Sequence, residues 1–385
     1  MFLALRELRH AKLRFFLLAG SIGLLVFLIL VQLALRDGLV TQFIGAIRHQ
    51  SAPVLVYGDQ ARQNLEGSQV DPSAIEAVAA VEGVARVGRF GEATFTVSTP
   101  TSRAMTKPAD RLDDAVIFGY EIGGAAAGLG APTTLVDGRL PEAPNEAVAS
   151  DRNRDEGFDI GDVIRVEPGA LELTIVGVAE EINYSVAPTL FVAYESWEAA
   201  KVIRNPDAVR ILPSVLVVEP EDGTSPTQLT ERIDAAVDGV ETLTRQQAVD
   251  ESPGVASVRS SLGTVIALLQ FTVLLVVGLF LLILTTQKAG PLTLLRAMGA
   301  SAGSLVCSLL IQAVVIVLGG IAIGTALLFA LLPVFQSVVG AVPAGAIVRA
   351  SATILGAALV GSVFAIWRVL RIEPVRATQT TGGLR

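Results

Sequence analysis

The feature that most constrains this chain is the placing of its apolar stretches. One lies near the start, at residues 15–35, and three are crowded into the last third, at 262–286, 305–332 and 350–370. An α-helix needs about 20 apolar residues to cross the hydrocarbon core of a bilayer. Each stretch comes close to that length or exceeds it. Residues 36–261, between the first and second stretches, read as an ordinary water-soluble domain. The layout predicts a membrane α-helical protein with four transmembrane helices arranged 1 + 3 around one large extramembrane domain. A mean hydropathy of +0.58 and an apolar content of 51% agree with this.

Charge sets the orientation. Residues 1–14 carry Arg6, Arg9, Lys12 and Arg14; residues 287–304 carry Lys288 and Arg296; the end carries Arg368, Arg371, Arg376 and Arg385. Against these ten cations stand only Glu7 and Glu373, whereas residues 36–261 hold 18 basic and 35 acidic residues. Lys and Arg close to the spans mark the cytoplasmic side. Both termini and the 287–304 connection are therefore expected inside, with the large domain and the 333–349 loop outside. The first apolar core exceeds the 7–15 residues of a signal peptide and no small-residue cleavage site follows it, so it reads as a retained span. In residues 1–14, Phe2, Leu5, Leu8 and Leu13 share one helical side and Arg6, Arg9 and Lys12 another. That suits a helix lying in the membrane surface; the plainer reading is an anchor for the first span.

The outer domain contains a repeat. Val54-Leu55-Val56-Tyr57 is followed by a polar stretch, a helical pattern over 72–81 and Glu82-Gly83-Val84. Val215-Leu216-Val217-Val218 is followed by a polar stretch, a helical pattern over 226–237 and Asp238-Gly239-Val240. Each copy reads strand, loop, helix with Pro near its start, Gly, strand. Ile75, Val78 and Ala79 are expected on the buried face of the first helix, and Leu229, Ile233 and Ala236 on that of the second. Between the copies, residues 94–97, 115–118, 163–166 and 171–178 read as short strands punctuated by Gly and Pro turns. The domain is thus an extracytoplasmic α+β fold: a ferredoxin-like βαβ repeat over 51–99 and 201–245 with a β-rich insertion over 100–200. The glycine-rich stretch at 122–130 reads as an exposed loop. Residues 37–50 and 253–260 read as helical extensions of spans one and two, or as ordinary linkers.

Much chemistry is excluded. The lone Cys307 lies in the third span, so no intrachain disulfide and no Cys-based metal site is expected. None of the four lysines follows a Gly-rich phosphate-binding loop, so this chain binds no ATP by that route. Residues 299–303 read G-x-S-x-G, but no strand precedes them and no histidine partners them, so Ser301 is read as a helix N-cap. No catalytic residue, metal ligand or nucleic-acid partner is expected. The spans hold amides at Gln32, Gln270 and Gln312 and almost no ionisable groups, which argues against an ion-driven carrier. Gly320-x-x-x-Gly324 fits close helix contact.

In the 287–304 connection, Pro291 can open a short helix that Gly299 ends. Leu292, Leu295 and Met298 then share one side. Such a helix either docks a partner or packs on the membrane surface, and the residues alone leave both open.

The run Leu294-Leu295-Arg296-Ala297-Met298-Gly299-Ala300-Ser301 before an apolar span resembles the signature of the FtsX/MacB-type permeases of ABC transporters. So do Phe2-Leu3-Ala4-Leu5-Arg6-Glu7-Leu8, Asp137-Gly138-Arg139-Leu140-Pro141 with Asn145-Glu146-Ala147-Val148, Gly157-Phe158-Asp159-Ile160-Gly161-Asp162, Ile175-Val176-Gly177-Val178 and Arg371-Ile372-Glu373-Pro374-Val375. The resemblance runs through nearly the whole chain. It implies a non-ATPase permease of the bacterial inner membrane, a homodimer paired with ABC ATPase subunits that bind ATP and Mg. It further implies that Leu292, Leu295, Arg296, Met298 and Gly299 form the ATPase-coupling helix, braced by Arg6, Glu7 and Arg9. Gln32-Leu33-Ala34-Leu35-Arg36-Asp37-Gly38 is similar to the DevC-like exporters. Val56-Tyr57-Gly58-Asp59 with Asn64-Leu65, and Ser185-x-x-Pro188 with Trp197, are similar to the haemin-exporting HrtB-like group. The expected function is export of a hydrophobic or amphipathic compound, such as haemin, a lipid or a toxic compound. The alternative is a non-transporting mechanotransducer acting on an envelope enzyme or sensor. Membrane lipids and an envelope adaptor are the further partners. A haem substrate needs an axial ligand, and Tyr57, Tyr184 and Tyr194 are the outer-domain candidates, with Gln32 as a polar site in span one.

Overall fold

The structure is a computed structural model that describes residues 12–99, 112–169, 171–208, 210–287, 302–335, 345, 347–356 and 359–360. In chain order its elements are α1 (Lys12–Arg48), β1 (Val54–Gly58), α2 (Pro72–Ala79), β2 (Val84–Ser98), β3 (Leu112–Tyr120), β4 (Leu135–Gly138), β5 (Glu146–Ser150), β6 (Val163–Val166), β7 (Leu171–Ala179), β8 (Thr189–Ala193), α3 (Tyr194–Arg204), β9 (Val215–Pro220), α4 (Pro226–Ala236), β10 (Val240–Thr244), α5 (Arg245–Glu251), α6 (Pro253–Gln287) and α7 (Ala302–Phe335). They fall into two compact units, one within residues 39–259 and one within 1–38 and 260–385.

Among the described residues, three helices are long and apolar enough to cross a membrane, over Phe16–Arg48, Gly254–Leu279 and Leu310–Leu331. Ile347–Gly356 is a shorter apolar helix at the start of the fourth expected span. The rest of that span from residue 361 and the expected tail lie outside the described residues, as does most of the outer loop. Ile22, Val26 and Ile29 of α1, Val273 and Val277 of α6, and Ile316 of α7 meet in one buried core. Glycine makes the closest approach there. A Cβ on Gly320 would lie 2.5 Å from Ile22, one on Gly324 2.7 Å from the Gly23 carbonyl oxygen, and one on Gly23 2.8 Å from Ile323. With no hydrophobic driving force between helices in lipid, such backbone approach is what holds them together.

In the first unit, ten strands among the described residues form one sheet in the order β10-β1-β9-β2-β3-β8-β5-β7-β4, with β6 pairing both β2 and β7. The four strands of the repeat, β10-β1-β9-β2, pair antiparallel throughout. The helices form where the sequence caps them: the Asp71 carboxylate accepts from the Ser73 N–H at 2.9 Å, and Ser225 and Thr244 each close a capping box. Val54, Val56, Val78, Leu216, Leu229 and Ile233 form the core beneath α2 and α4. Ile75 is half-buried there, but Ala79 and Ala236, expected inside, are exposed. Ala74 and Thr230 take the buried positions instead, because Ala74 lies one turn from Val78, and Thr230 one turn from Ile233, on the face toward the sheet.

The stretch between the repeats joins the same sheet. The long strand β2 pairs with β9 over its first half and with β3 over its second. The four expected short strands are present in β2, β3, β6 and β7, and β4, β5 and β8 are additional. Family-like motifs serve as clasps here. Arg139 grips Glu146 through two bonds of 2.7 and 2.5 Å, and Arg154 ties Asp159 at 2.7 Å to Asp137 at 3.1 Å. The glycine-rich loop is only partly exposed: Ala126, Leu129 and Ala131 are buried, and the Ser51 hydroxyl donates to the Gly128 carbonyl while accepting from the Gly130 N–H.

Candidate functional site

The outer end of α1 is built into the domain. Its helix is interrupted at Ile44, whose φ of −140° and ψ of 17° are not helical. At that break the backbone bonds outward: Ala46 N–H donates to the Asn183 carbonyl at 3.1 Å, Ser185 N–H to Phe43 at 3.0 Å and Val186 N–H to Gln42 at 3.0 Å. Gly45 permits this contact, since a Cβ there would stand 2.1 Å from the Glu181 carbonyl oxygen. Val40, Ile44, Ala46 and Ile47, with Val255 from the start of α6, then join the larger domain core. Ser185 and Val186 hold φ of 50° and 61°. That conformation is unusual for a β-branched residue such as Val186, and it is what turns two successive N–H groups toward α1.

The structure separates the expected ligand residues. Tyr57 and Tyr184 share the larger core, whereas Tyr194 lies in the second core across the sheet. All three are buried, at 1%, 5% and 1% exposure, and burial pushes each hydroxyl above its ordinary range. Tyr184 packs edge-on against Phe118, with ring centroids 5.3 Å apart. The Arg89 guanidinium covers Tyr194 at 4.1 Å. Each of the three rings packs in a domain core. Gln32 is half-buried within α1, with its Oε1 shielded and unbonded among the described residues. Leu292, Leu295, Arg296, Met298 and Gly299, and likewise Arg6, Glu7 and Arg9, lie outside the described residues.

A different site is evident in the sheet. The β2–β9 pairing ends at Phe90 and the β2–β6 pairing begins at Val97, leaving one side of β2 open between them. Side chains fill in for the missing strand. The Ser214 hydroxyl accepts from the Glu92 N–H at 2.9 Å and donates to the Glu92 carbonyl at 3.2 Å, and Arg204 Nη1 donates to the Thr94 carbonyl at 2.8 Å. Trp197 anchors α3 beside this gap. It lies against the paired Gly91 and Gly119, where a Cβ would come within 2.4 and 2.5 Å of it. A cleft of about 700 Å³ opens at the gap, lined by Glu66, Glu92, Lys201, Arg204 and Arg210 together with Ser68 and Leu212.

Glu92 is 4% exposed, and no described group hydrogen-bonds its Oε1. Its pKa is raised to about 8, mainly by burial and then by Glu66, with Lys201 and Arg204 opposing. Burial and Arg204 lower that of Lys201. Sequence reasoning missed this site. Its signal was a single acid at the centre of Phe90-Gly91-Glu92-Ala93-Thr94-Phe95, a strand pattern that otherwise offers water nothing charged.

Comparison with known proteins matches both units. The family model of the MacB-like periplasmic core domain matches residues 15–236, and that of the FtsX-like permease C-terminal region matches 263–374. An uncharacterized ABC transporter permease of Mycobacterium tuberculosis strain H37Rv is 26% identical over 380 residues, covering 98% of this chain and 99% of its own. An uncharacterized ABC transporter permease of Mycobacterium bovis is 28% identical over 386 residues, with the same coverages. Among solved structures, the periplasmic region of MacB from Actinobacillus actinomycetemcomitans aligns at 12% identity and a TM-score of 0.35, over 52% of this chain and 92% of that one.

Proposed function

Since the chain belongs to the FtsX/MacB-type permeases of ABC transporters, membrane proteins with an extracytoplasmic domain, we propose that it transmits the ATP-driven motion of a separate ATPase to that domain. Two copies pair with two ATPase subunits, and the cycle exports a hydrophobic or amphipathic compound from the outer leaflet or envelope. Both termini and the 287–304 connection face the cytoplasm, and Leu292, Leu295, Arg296, Met298 and Gly299 form the helix that the ATPase pushes.

The observation that carries this reading is the build of α1. One helix begins as an apolar span and ends hydrogen-bonded into the domain core at Ala46, Ser185 and Val186. A helix end held by three backbone bonds and a shared core moves with its domain rather than sliding past it. The four-strand order β10-β1-β9-β2, antiparallel throughout, supports reading the repeat as ferredoxin-like.

The test is co-purification of the full chain with the ATPase encoded beside its gene, reconstituted in nanodiscs. Leu295→Asp is expected to abolish association and to reduce ATPase activity at least tenfold. Association and turnover that survive this charge on the apolar side overturn the coupling-helix assignment. For export, deletion of the gene is expected to sensitise cells to amphipathic toxic compounds, and an ATPase-dead partner to do the same. Unchanged sensitivity alongside intact association assigns mechanotransduction instead.

A further inference from the structure

The cleft at the sheet gap has no part in the force path just described, since it lies entirely among residues 66–214 of the outer domain. Its makeup is nonetheless that of a built site. Three cations face it, Lys201 and Arg204 from α3 and its end and Arg210 from the following loop, against one acid at the rim, Glu66. On its floor is Glu92, almost wholly buried.

We propose that this cleft binds a phosphate-monoester type of oxyanion, with Lys201, Arg204 and Arg210 as its charge partners and the buried Glu92 carboxyl as a hydrogen-bonding partner on the floor. Charge decides the ligand class. With Glu92 neutral, the three cations and Glu66 leave a formal surplus of two positive charges, which matches the charge of about −1.5 to −2 on a phosphate monoester at neutral pH. A carboxylate would leave one cation uncompensated. Arginine forks suit the oxygens geometrically. Arg204 already commits Nη1 to the Thr94 carbonyl, which steadies its remaining donors at the cleft. The volume exceeds what inorganic phosphate fills and lies in the range of about 300–1,000 Å³ typical of small-molecule sites. Leu212 and Ile211 give the body of such a molecule an apolar wall.

Glu92 makes the site pH-dependent. The charged groups that act on it are Glu66, Lys201 and Arg204, with Tyr184 close enough to feel its charge. With a pKa of about 8, its carboxyl carries a proton at neutral pH and donates it in a hydrogen bond to the anion. Above that value it becomes a carboxylate and repels the anion.

The experiment is calorimetric titration of the full chain in phosphatidylcholine nanodiscs with inorganic phosphate and with dihexanoyl phosphatidic acid below its micelle concentration. Saturable one-site binding is expected at pH 7, weakened at least tenfold in Lys201→Met and in Arg210→Ala. Arg210 is exposed, so its removal leaves the fold intact. Tighter binding of the phosphatidic acid assigns a lipid headgroup as the source, and equal binding assigns free phosphate; both support the site. Between pH 7 and 9 the wild-type affinity should fall about tenfold relative to Glu92→Gln, which keeps a donor at every pH. Three results overturn the proposal: no saturable heat with either probe, hexanoate binding as tightly as phosphatidic acid, or affinities unchanged in both cation variants. A Glu92→Gln profile identical to wild type overturns the role of Glu92.

Discussion

At the residue scale, Glu92 couples the fold of the outer domain to pH. Its pKa is about 8 in the folded protein against an ordinary 4.5. Between those values the folded chain retains a proton that the unfolded chain has released. Stability is therefore full below about pH 4.5, falls as pH rises toward 8 and is level above it. At pH 7 the penalty is on the order of 3 kcal/mol. Thermal melts of the full chain in detergent should show the midpoint dropping from pH 5 to 8, and Glu92→Gln should flatten that drop and melt higher at pH 8. A variant with the wild-type profile would locate the titration elsewhere. Tyr57, Tyr184 and Tyr194 show why such residues resist reading from sequence. A tyrosine's type is the same whether it coordinates a ligand or packs against Phe118, and only its neighbours decide. Glu92 escaped for the converse reason: the groups that act on it, Ser214 on its backbone and Lys201 and Arg204 on its charge, are distant in the chain.

At the element scale, the glycines of the spans divide into two kinds. Gly23, Gly320 and Gly324 lie where α1 and α7 meet backbone to backbone, whereas a Cβ on Gly319 would rest 3.6 Å from Ala19 in ordinary contact. Gly324→Val is expected to cost about 1–3 kcal/mol, as overpacking does. It should lower the melting temperature and the yield of folded protein in detergent, while Gly319→Ala stays within about 0.5 kcal/mol of wild type. Equal behaviour of the two variants would contradict the crossing. The G-x-x-x-G spacing was legible in the sequence; its partner, the first span, was not. The strands show a similar division. Periodicity located parts of β2, β3, β6 and β7, because each alternates or runs apolar. It did not locate β4, whose Leu135-Val136-Asp137-Gly138 is exposed throughout and is ordered by pairing with β7.

At the scale of the whole molecule, α1 is a single element in two roles, apolar span at one end and domain core at the other. The proposed transmission through it needs a continuous helix between the apolar span and the break at Ile44. Inserting Gly-Ser-Gly between Arg36 and Asp37 is expected to preserve ATPase association and the melting of the outer domain, while reducing export at least tenfold in whole cells. Export at the wild-type rate would remove α1 from the force path. The membrane class, the positions of the long apolar helices and the presence of an α+β domain between the first two are legible in the chain before it folds. Those properties follow from local composition and short-range periodicity, which each segment carries alone. The tertiary structure decided that the β-rich stretch continues the repeat's own sheet, that α1 breaks at Ile44 to bond residues 183–186, and that β2 is left open beside a buried glutamate. The break at Ile44 and the bonding beside Glu92 depend on contacts between segments more than 100 residues apart in the chain, such as Ser214 on Glu92, and no window of sequence contains both partners.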